Sequence, residues 1–131
     1  MGAMGRTRDP VESAAFDVFA CACPSRQTVA TVAGKWGVLA LAALHDGTYR
    51  FNALRRRVDG VSEKMLSQTL QALERDGLVR REVQGTIPPR VEYSLTPFGA
   101  RVAAKLVELV TLVEAEMPAV LEARARYDAA P

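Results

Sequence analysis

The sequence predicts a mainly α-helical chain with one small β hairpin, an α+β fold. Helical apolar spacing recurs along the first 76 residues. Two stretches of period-two alternation then follow, separated by a loop that holds Gly85 and the Pro88-Pro89 pair. A last helical stripe begins at Pro97. From Gly34 to Thr96 the order is three short helical patterns and then two strands. That is the layout of a winged helix-turn-helix, a fold that offers one helix and a basic hairpin to DNA.

Each element has a local reason. Val11, Ala14, Ala15, Val18 and Phe19 predict a short helix over Pro10–Phe19, interrupted by Pro24. Ser25 is the expected N-cap of the next helical pattern. This pattern runs to about His45, with Val29, Val32, Ala33, Trp36, Leu39, Ala40, Ala43 and Leu44 facing inward. Gly34 and Gly37 weaken it as one unbroken helix, and Asp46-Gly47 stops it. Thr48–Phe51 suits a short edge strand, and Asn52–Val58 a two-turn helix carrying Arg55, Arg56 and Arg57. Asp59-Gly60 turns the chain, Val61 plugs the core, and Ser62 caps the next helix.

That helix runs from Ser62 to about Asp76 on an inward stripe of Leu66, Leu70 and Leu73, flanked by Met65 and Thr69, and stops at Gly77. Leu78–Val83 and Arg90–Leu95 alternate as half-buried strands. Thr96 caps a final helix with Pro97 as its first residue. There Val102, Leu106, Leu109, Val113, Met117 and Val120 make one apolar stripe, too apolar for a helix with a free face. Pro118 is expected to kink or restart it, and the tail from Tyr127 to fray. The expected units are an N-terminal segment and dimerisation helix (1–24), the winged helix-turn-helix (25–96) and a C-terminal dimerisation helix with its tail (97–131).

In a helix-turn-helix the second helix lies in the major groove and reads base edges with outward side chains near its N-terminus. Here those positions are Ser62, Lys64, Ser67, Gln68 and Gln71. Lys64, Gln68 and Gln71 share one face at i, i+4 and i+7. Gln pairs bidentately with adenine, and Lys reaches guanine or phosphate. The serine hydroxyls suit phosphates or nearby bases. Arg55 and Arg56, with Arg57, sit on the helix that crosses the backbone. Arg80, Arg81 and Arg90 flank the hairpin, within reach of Glu74, Asp76 and Glu82 as ion-pair partners.

Composition is consistent with this. At 131 residues the chain suits a single core, and 49% hydrophobic with 24% charged residues excludes a disordered class. The net charge is only +2, but Arg50–Glu92 holds nine Lys and Arg against six Asp and Glu. The positive excess therefore lies in the DNA-reading part. No apolar run approaches the roughly 20 residues of a membrane span, and no signal-peptide pattern opens the chain. A cytoplasmic protein without a membrane partner is expected.

From Cys23 to Gly99 the chain resembles the HxlR-type family of bacterial transcription regulators, a winged-helix branch akin to the MarR group. The matching pieces are Cys23-Pro24, Gly34-Lys35-Trp36, Arg50-Phe51-Asn52, Val61-Ser62-x-Lys64-Met65-Leu66, Asp76-Gly77-Leu78-Val79-x-Arg81, and Pro88-Pro89-Arg90-Val91-Glu92-Tyr93-Ser94-Leu95-Thr96. The resemblance implies a homodimer joined through N- and C-terminal helices, with two reading helices on successive major grooves of near-palindromic double-stranded DNA. The stripe of Val102, Leu106, Leu109 and Val113 independently asks for such a partner.

In some members of that family the cysteine of the Cys-Pro pair senses oxidants or electrophiles, and Cys23 holds that position. A thiol just before a helix start and near Arg26 would have its thiolate favoured by the helix dipole and the cation. Cys21 departs from the simplest pattern. A Cys-x-Cys disulfide is strained, so a bridge between subunits is the expected form of any oxidised pair. The alternative is that both thiols only pack. Two Cys and the distant His45 do not make a zinc set, so no metal or other cofactor is expected.

The leading functional reading is a dimeric DNA-binding repressor responsive to thiol-reactive stress, not an enzyme. The alternatives are a regulator answering a small apolar or aromatic effector, with Trp36 lining its cavity, and a winged-helix protein-interaction module without DNA binding. Trp36 and Phe51 are otherwise expected in the core, and Tyr93 under the wing.

Overall fold

The structure, a computed structural model, describes residues 16–131. The elements are α1 (Pro24–Ala33), α2 (Lys35–Leu44), β1 (Tyr49–Arg50), α3 (Phe51–Arg57), α4 (Glu63–Arg75), β2 (Val79–Gln84), β3 (Arg90–Leu95) and α5 (Pro97–Ala129). They form a mainly helical fold with a three-stranded antiparallel sheet in the order β1-β3-β2. Tyr49 pairs with Tyr93 and Val79 with Leu95, so β3 is the central strand and β2–β3 is the wing.

The core is aliphatic. Leu41, Leu54, Leu66, Leu70, Leu73 and Leu78 are its largest fully enclosed side chains, and no charged or polar residue among those described is buried with them. Val58 and Val61 close it around the turn at Gly60, whose φ of +89° suits a residue without a Cβ. Trp36 and Phe51 are half-buried against its edge, and Tyr93 is buried beneath the wing.

Thr96 locks the far end. Its hydroxyl donates to the Gly77 carbonyl at 2.6 Å, and its oxygen accepts the Gly99 N–H at 3.0 Å. One side chain therefore ties the turn after α4 to the start of α5, with Pro97 as first helical residue. A Cβ on Gly99 would collide with the Leu78 carbonyl, so the glycine lets the start of α5 pass directly over the residue that leads into β2.

Several expectations need correction. Of the helix expected over Pro10–Phe19, Pro10–Ala15 lie outside the described residues; Phe16–Phe19 form coil and turn rather than helix. Pro24 does not interrupt a helix but opens α1 at its first position, where the missing N–H costs nothing; Cys23, not Ser25, is the N-cap. The pattern running to His45 is two helices meeting at Gly34 with a 69° bend. A Cβ on Gly37 would collide with the Thr31 carbonyl, which is why the bend is so tight. The bend also changes which residues face inward. Leu41 is buried, whereas Val29 and Leu39 are substantially exposed.

Phe51 belongs to α3 rather than to the edge strand, which is only two residues long. The wing is less buried than its alternation suggests. Every residue of β2 after Val79 is exposed, because the hairpin extends beyond the helices that would cover it. Pro118 does not restart the last helix, which is continuous for 33 residues through Ala129. The expected fraying from Tyr127 is replaced by helix, preceded by an Arg126–Glu122 pair one turn apart at 2.9 Å.

Candidate nucleic-acid interface

α4 is built to face two environments. Ser62 caps it by accepting the Met65 N–H at 3.0 Å, with Glu63 in the first turn. Leu66, Leu70 and Leu73 fix its inner side in the core. With that side fixed, Lys64, Gln68 and Gln71 are exposed on the opposite face, together with Arg75. Ser67 lies beside them, half-buried, 3.5 Å from the Gln71 amide nitrogen.

The arginines divide into separate groups. Arg55 and Arg56 line an open cleft with Asn52, Asp59 and Gly60 next to the start of α4. Arg55 also approaches Glu63 at 3.9 Å; both side chains are well exposed, so this pair is worth little and leaves the guanidinium free to exchange partners. Arg57 is turned to the other side, where it lines a cleft with Leu39 and Val110. Arg90 meets Arg50 and Arg56 around a cleft of about 460 Å³ between α3 and the wing. Arg81 meets Ser67, Gln71, Glu74 and Tyr93 in a second cleft between α4 and β2–β3. Neither Arg80 nor Arg81 pairs with Glu74, Asp76 or Glu82 among the described residues; Asp76 instead accepts the Thr28 hydroxyl at 3.0 Å and anchors α1.

Arg50 and Asn52 also line these clefts, although the sequence marks them only through the Arg50-Phe51-Asn52 match and not as contact residues. Their signal is weak: Arg50 is the N-cap residue of α3 and Asn52 its second residue, positions with no visible period.

The cysteine site is a turn closed on itself. The Cys23 Sγ accepts the Asp17 N–H at 3.1 Å and lies 3.1 Å from the Ser25 Oγ. The Ser25 hydroxyl, then the Asp17 and Ser25 amides, hold the thiol below its ordinary pKa. Arg26 is not the cause. Its guanidinium instead donates to the Val18 and Phe19 carbonyls at 3.0 and 2.9 Å, clasping the turn in which the thiol sits. Cys21 and Cys23 are both free thiols, Cys21 exposed and Cys23 half-buried.

The C-terminal stripe splits in two. Leu106 is buried, and Val102 packs on the chain's own core. Leu109 and Val113 remain 52% and 47% exposed, and Leu112 stands out beside them. No single helix among the described residues is long and apolar enough to cross a membrane. The described residues hold no cluster of His, Cys, Asp and Glu that would seat a metal ion.

A capped helix with a polar outer face, a short arginine-bearing helix before it and a basic hairpin after it define a winged helix-turn-helix transcription regulator. Comparison with known proteins narrows the class. Residues 31–120 match the HxlR-like helix-turn-helix family model, and the chain belongs to that family. It is 51% identical over 108 residues to the uncharacterised HTH-type transcriptional regulator YtfH of Escherichia coli K12, covering 82% of this chain and 86% of that one. A solved structure of the candidate transcriptional regulator YtfH of Salmonella typhimurium superposes with a TM-score of 0.79 at 51% identity, over 84% of this chain and 98% of that one. The redox regulator HypR in its oxidised form superposes with a TM-score of 0.65 at 38% identity, over 71% and 96%. The relatives are regulators, not enzymes.

Proposed function

We propose that the protein is a homodimeric, sequence-specific DNA-binding repressor acting in the cytoplasm on near-palindromic operators. The observation that carries this reading is the exposed Lys64/Gln68/Gln71 face of α4, held rigidly by a buried leucine stripe and flanked by arginines on α3 and the wing. Lys64, Gln68 and Gln71 read base edges. Ser62, Ser67, Arg55, Arg56, Arg81 and Arg90 set the register on phosphates. In this reading residues 25–96 bind DNA, while 1–24 and 97–131 join the subunits. Leu109 and Val113 form the centre of that contact, since Leu106 and Val102 are already engaged within the chain.

Cys23 is the signal input in this reading. Its hydrogen bonds favour the thiolate, the species that attacks oxidants and electrophiles. A hydroperoxide transfers one oxygen to give the sulfenic acid. Condensation with a thiol of the partner subunit, from Cys21 or Cys23, then forms a disulfide and releases water. Similarity to a protein named as a redox regulator supports this. A second reading, a cysteine-independent response to a small apolar or aromatic effector, draws on the cleft of about 410 Å³ between α2, α3 and α5, where Leu39, Val58 and Val110 meet beside the charged Arg57, Asp59 and Glu114; Trp36 does not line it.

The test is fluorescence-anisotropy binding of the reduced protein to its own upstream DNA and to scrambled DNA, before and after diamide. Preferential binding that diamide reverses, and that Cys23→Ser makes insensitive, is the expected result. Binding no tighter than to scrambled DNA counts against a specific operator there. A normal diamide response in Cys23→Ser removes Cys23 as the sensor.

A further inference from the structure

One charged residue beside α4 is not used by the interface described above. Lys35 opens α2 directly after the 69° bend, and its Nζ sits 4.5 Å from the centroid of the Trp36 ring. Among the described residues no carboxylate comes within ion-pair distance of it. Together with Trp36 it lines a shallow groove whose other wall is α4 itself, at Gln68, Thr69 and Ala72. No acidic residue lines this groove. It therefore adjoins the base-reading face through Gln68, on the other flank of α4 from Ser67, Gln71 and Glu74, which line the Arg81 cleft, and from Glu63, which Arg55 approaches.

We infer that the Lys35–Trp36 groove is a second seat for the DNA backbone, with Lys35 as phosphate contact and the Trp36 ring against the adjoining deoxyribose. The inference rests on α4 being the reading helix. A helix lying in the major groove has a phosphate strand on each lip, and one-sided arginines grip only one of them. Lys35 supplies the missing cation. Its ammonium keeps a weakly bound position over the indole until a phosphate replaces water on its free side. The close packing of Gly37 against the Thr31 carbonyl holds Lys35 and Trp36 to the α1–α2 corner. The groove has the same character on any base sequence, so its contribution is to affinity and register rather than base choice.

Trp36 is the only tryptophan in the chain, so its emission reports this groove alone. The experiment measures binding to the upstream duplex and to a scrambled duplex across a salt series, for wild type, Lys35→Gln, Lys35→Arg and Arg55→Ala, with acrylamide quenching of Trp36 in the same samples. Lys35→Gln is expected to weaken both duplexes by a similar factor and to lower the slope of log K against log salt by about one. Lys35→Arg is expected to keep the wild-type slope, and wild-type Trp36 to become shielded from acrylamide when duplex is added. A wild-type slope in Lys35→Gln with unchanged Trp36 quenching, while Arg55→Ala loses slope, overturns the inference and leaves α4 as the reading helix. Failure of wild-type protein to bind either duplex overturns both.

Discussion

α4 and α5 carry similar leucine-rich stripes, yet only α4 completes its burial within the chain. Leu66, Leu70 and Leu73 are at most 1% exposed, and the opposite face of α4 is polar. In α5 burial ends at Leu106, and Leu109, Leu112, Val113 and Leu121 are all about half exposed. The stripe spacing is helical in both, so periodicity specifies a helix and an apolar side but not what covers that side. α4 is an instrument finished by its own domain. The second half of α5 keeps an apolar face that nothing in the chain covers, the face that the proposed dimer would bury.

Breaking α5 is expected to give the largest effect. A charge at Leu109→Glu should abolish the dimer in sedimentation or light scattering, and operator binding should fall by orders of magnitude because each half-site is then held alone. An intact dimer from soluble Leu109→Glu protein would remove this half of α5 from the interface. Breaking the α4 stripe with Leu66→Ala should cost about 2–5 kcal/mol in denaturant unfolding, the loss expected for an enclosed leucine. If instead Leu66→Ala and a Leu109 variant unfold alike, the two helices do not differ as described.

The outer face of α4 gives the next smaller change. Lys64→Ala and Gln68→Ala should each lose roughly 1–3 kcal/mol on a specific site and flatten base preference at one position, leaving scrambled DNA little affected. An unchanged ranking of mutated operators for Gln68→Ala would displace Gln68 from base reading. At the far end of α5, Arg126→Ala removes only an exposed pair with Glu122 and should change stability by less than about 0.5 kcal/mol.

A pH series sharpens the cysteine assignment without touching either helix. Cys23 has its pKa lowered, so thiolate reactivity persists below the usual thiol range and is lost as pH falls through the folded value. Ser25→Ala removes the first cause of that lowering and should move the alkylation midpoint of Cys23 upward. An unmoved midpoint would mean that the Asp17 and Ser25 amides suffice.

Much of the proposed DNA-reading surface is legible in the sequence because it obeys local rules. Ser62 as cap, Gly77 as stop with φ +78°, Thr96-Pro97 as start, and the Leu66/Leu70/Leu73 stripe all depend on neighbours within a turn or two. The Lys64/Gln68/Gln71 face follows once that stripe is fixed. What failed depended on distant contacts. Nothing local distinguishes Leu41, enclosed, from Leu39, substantially exposed, until the chain bends at Gly34. Arg57 is the exception: its separation from Arg55 follows from the helical period alone, since two residues along α3 are roughly 200° apart about its axis.

The sequence by itself determined the helix-helix-wing order, the caps and the polar face of α4, because backbone caps and side-chain period act over a few residues. Only the tertiary structure decided that Arg26 clasps a turn rather than a thiolate, that Arg50 and Asn52 join Arg56 and Arg90 at one cleft, and that Lys35 and Trp36 stand beside Gln68. These side chains meet across separate elements, and their distances are set by how the leucine core packs the helices together, which no single stretch of the chain specifies.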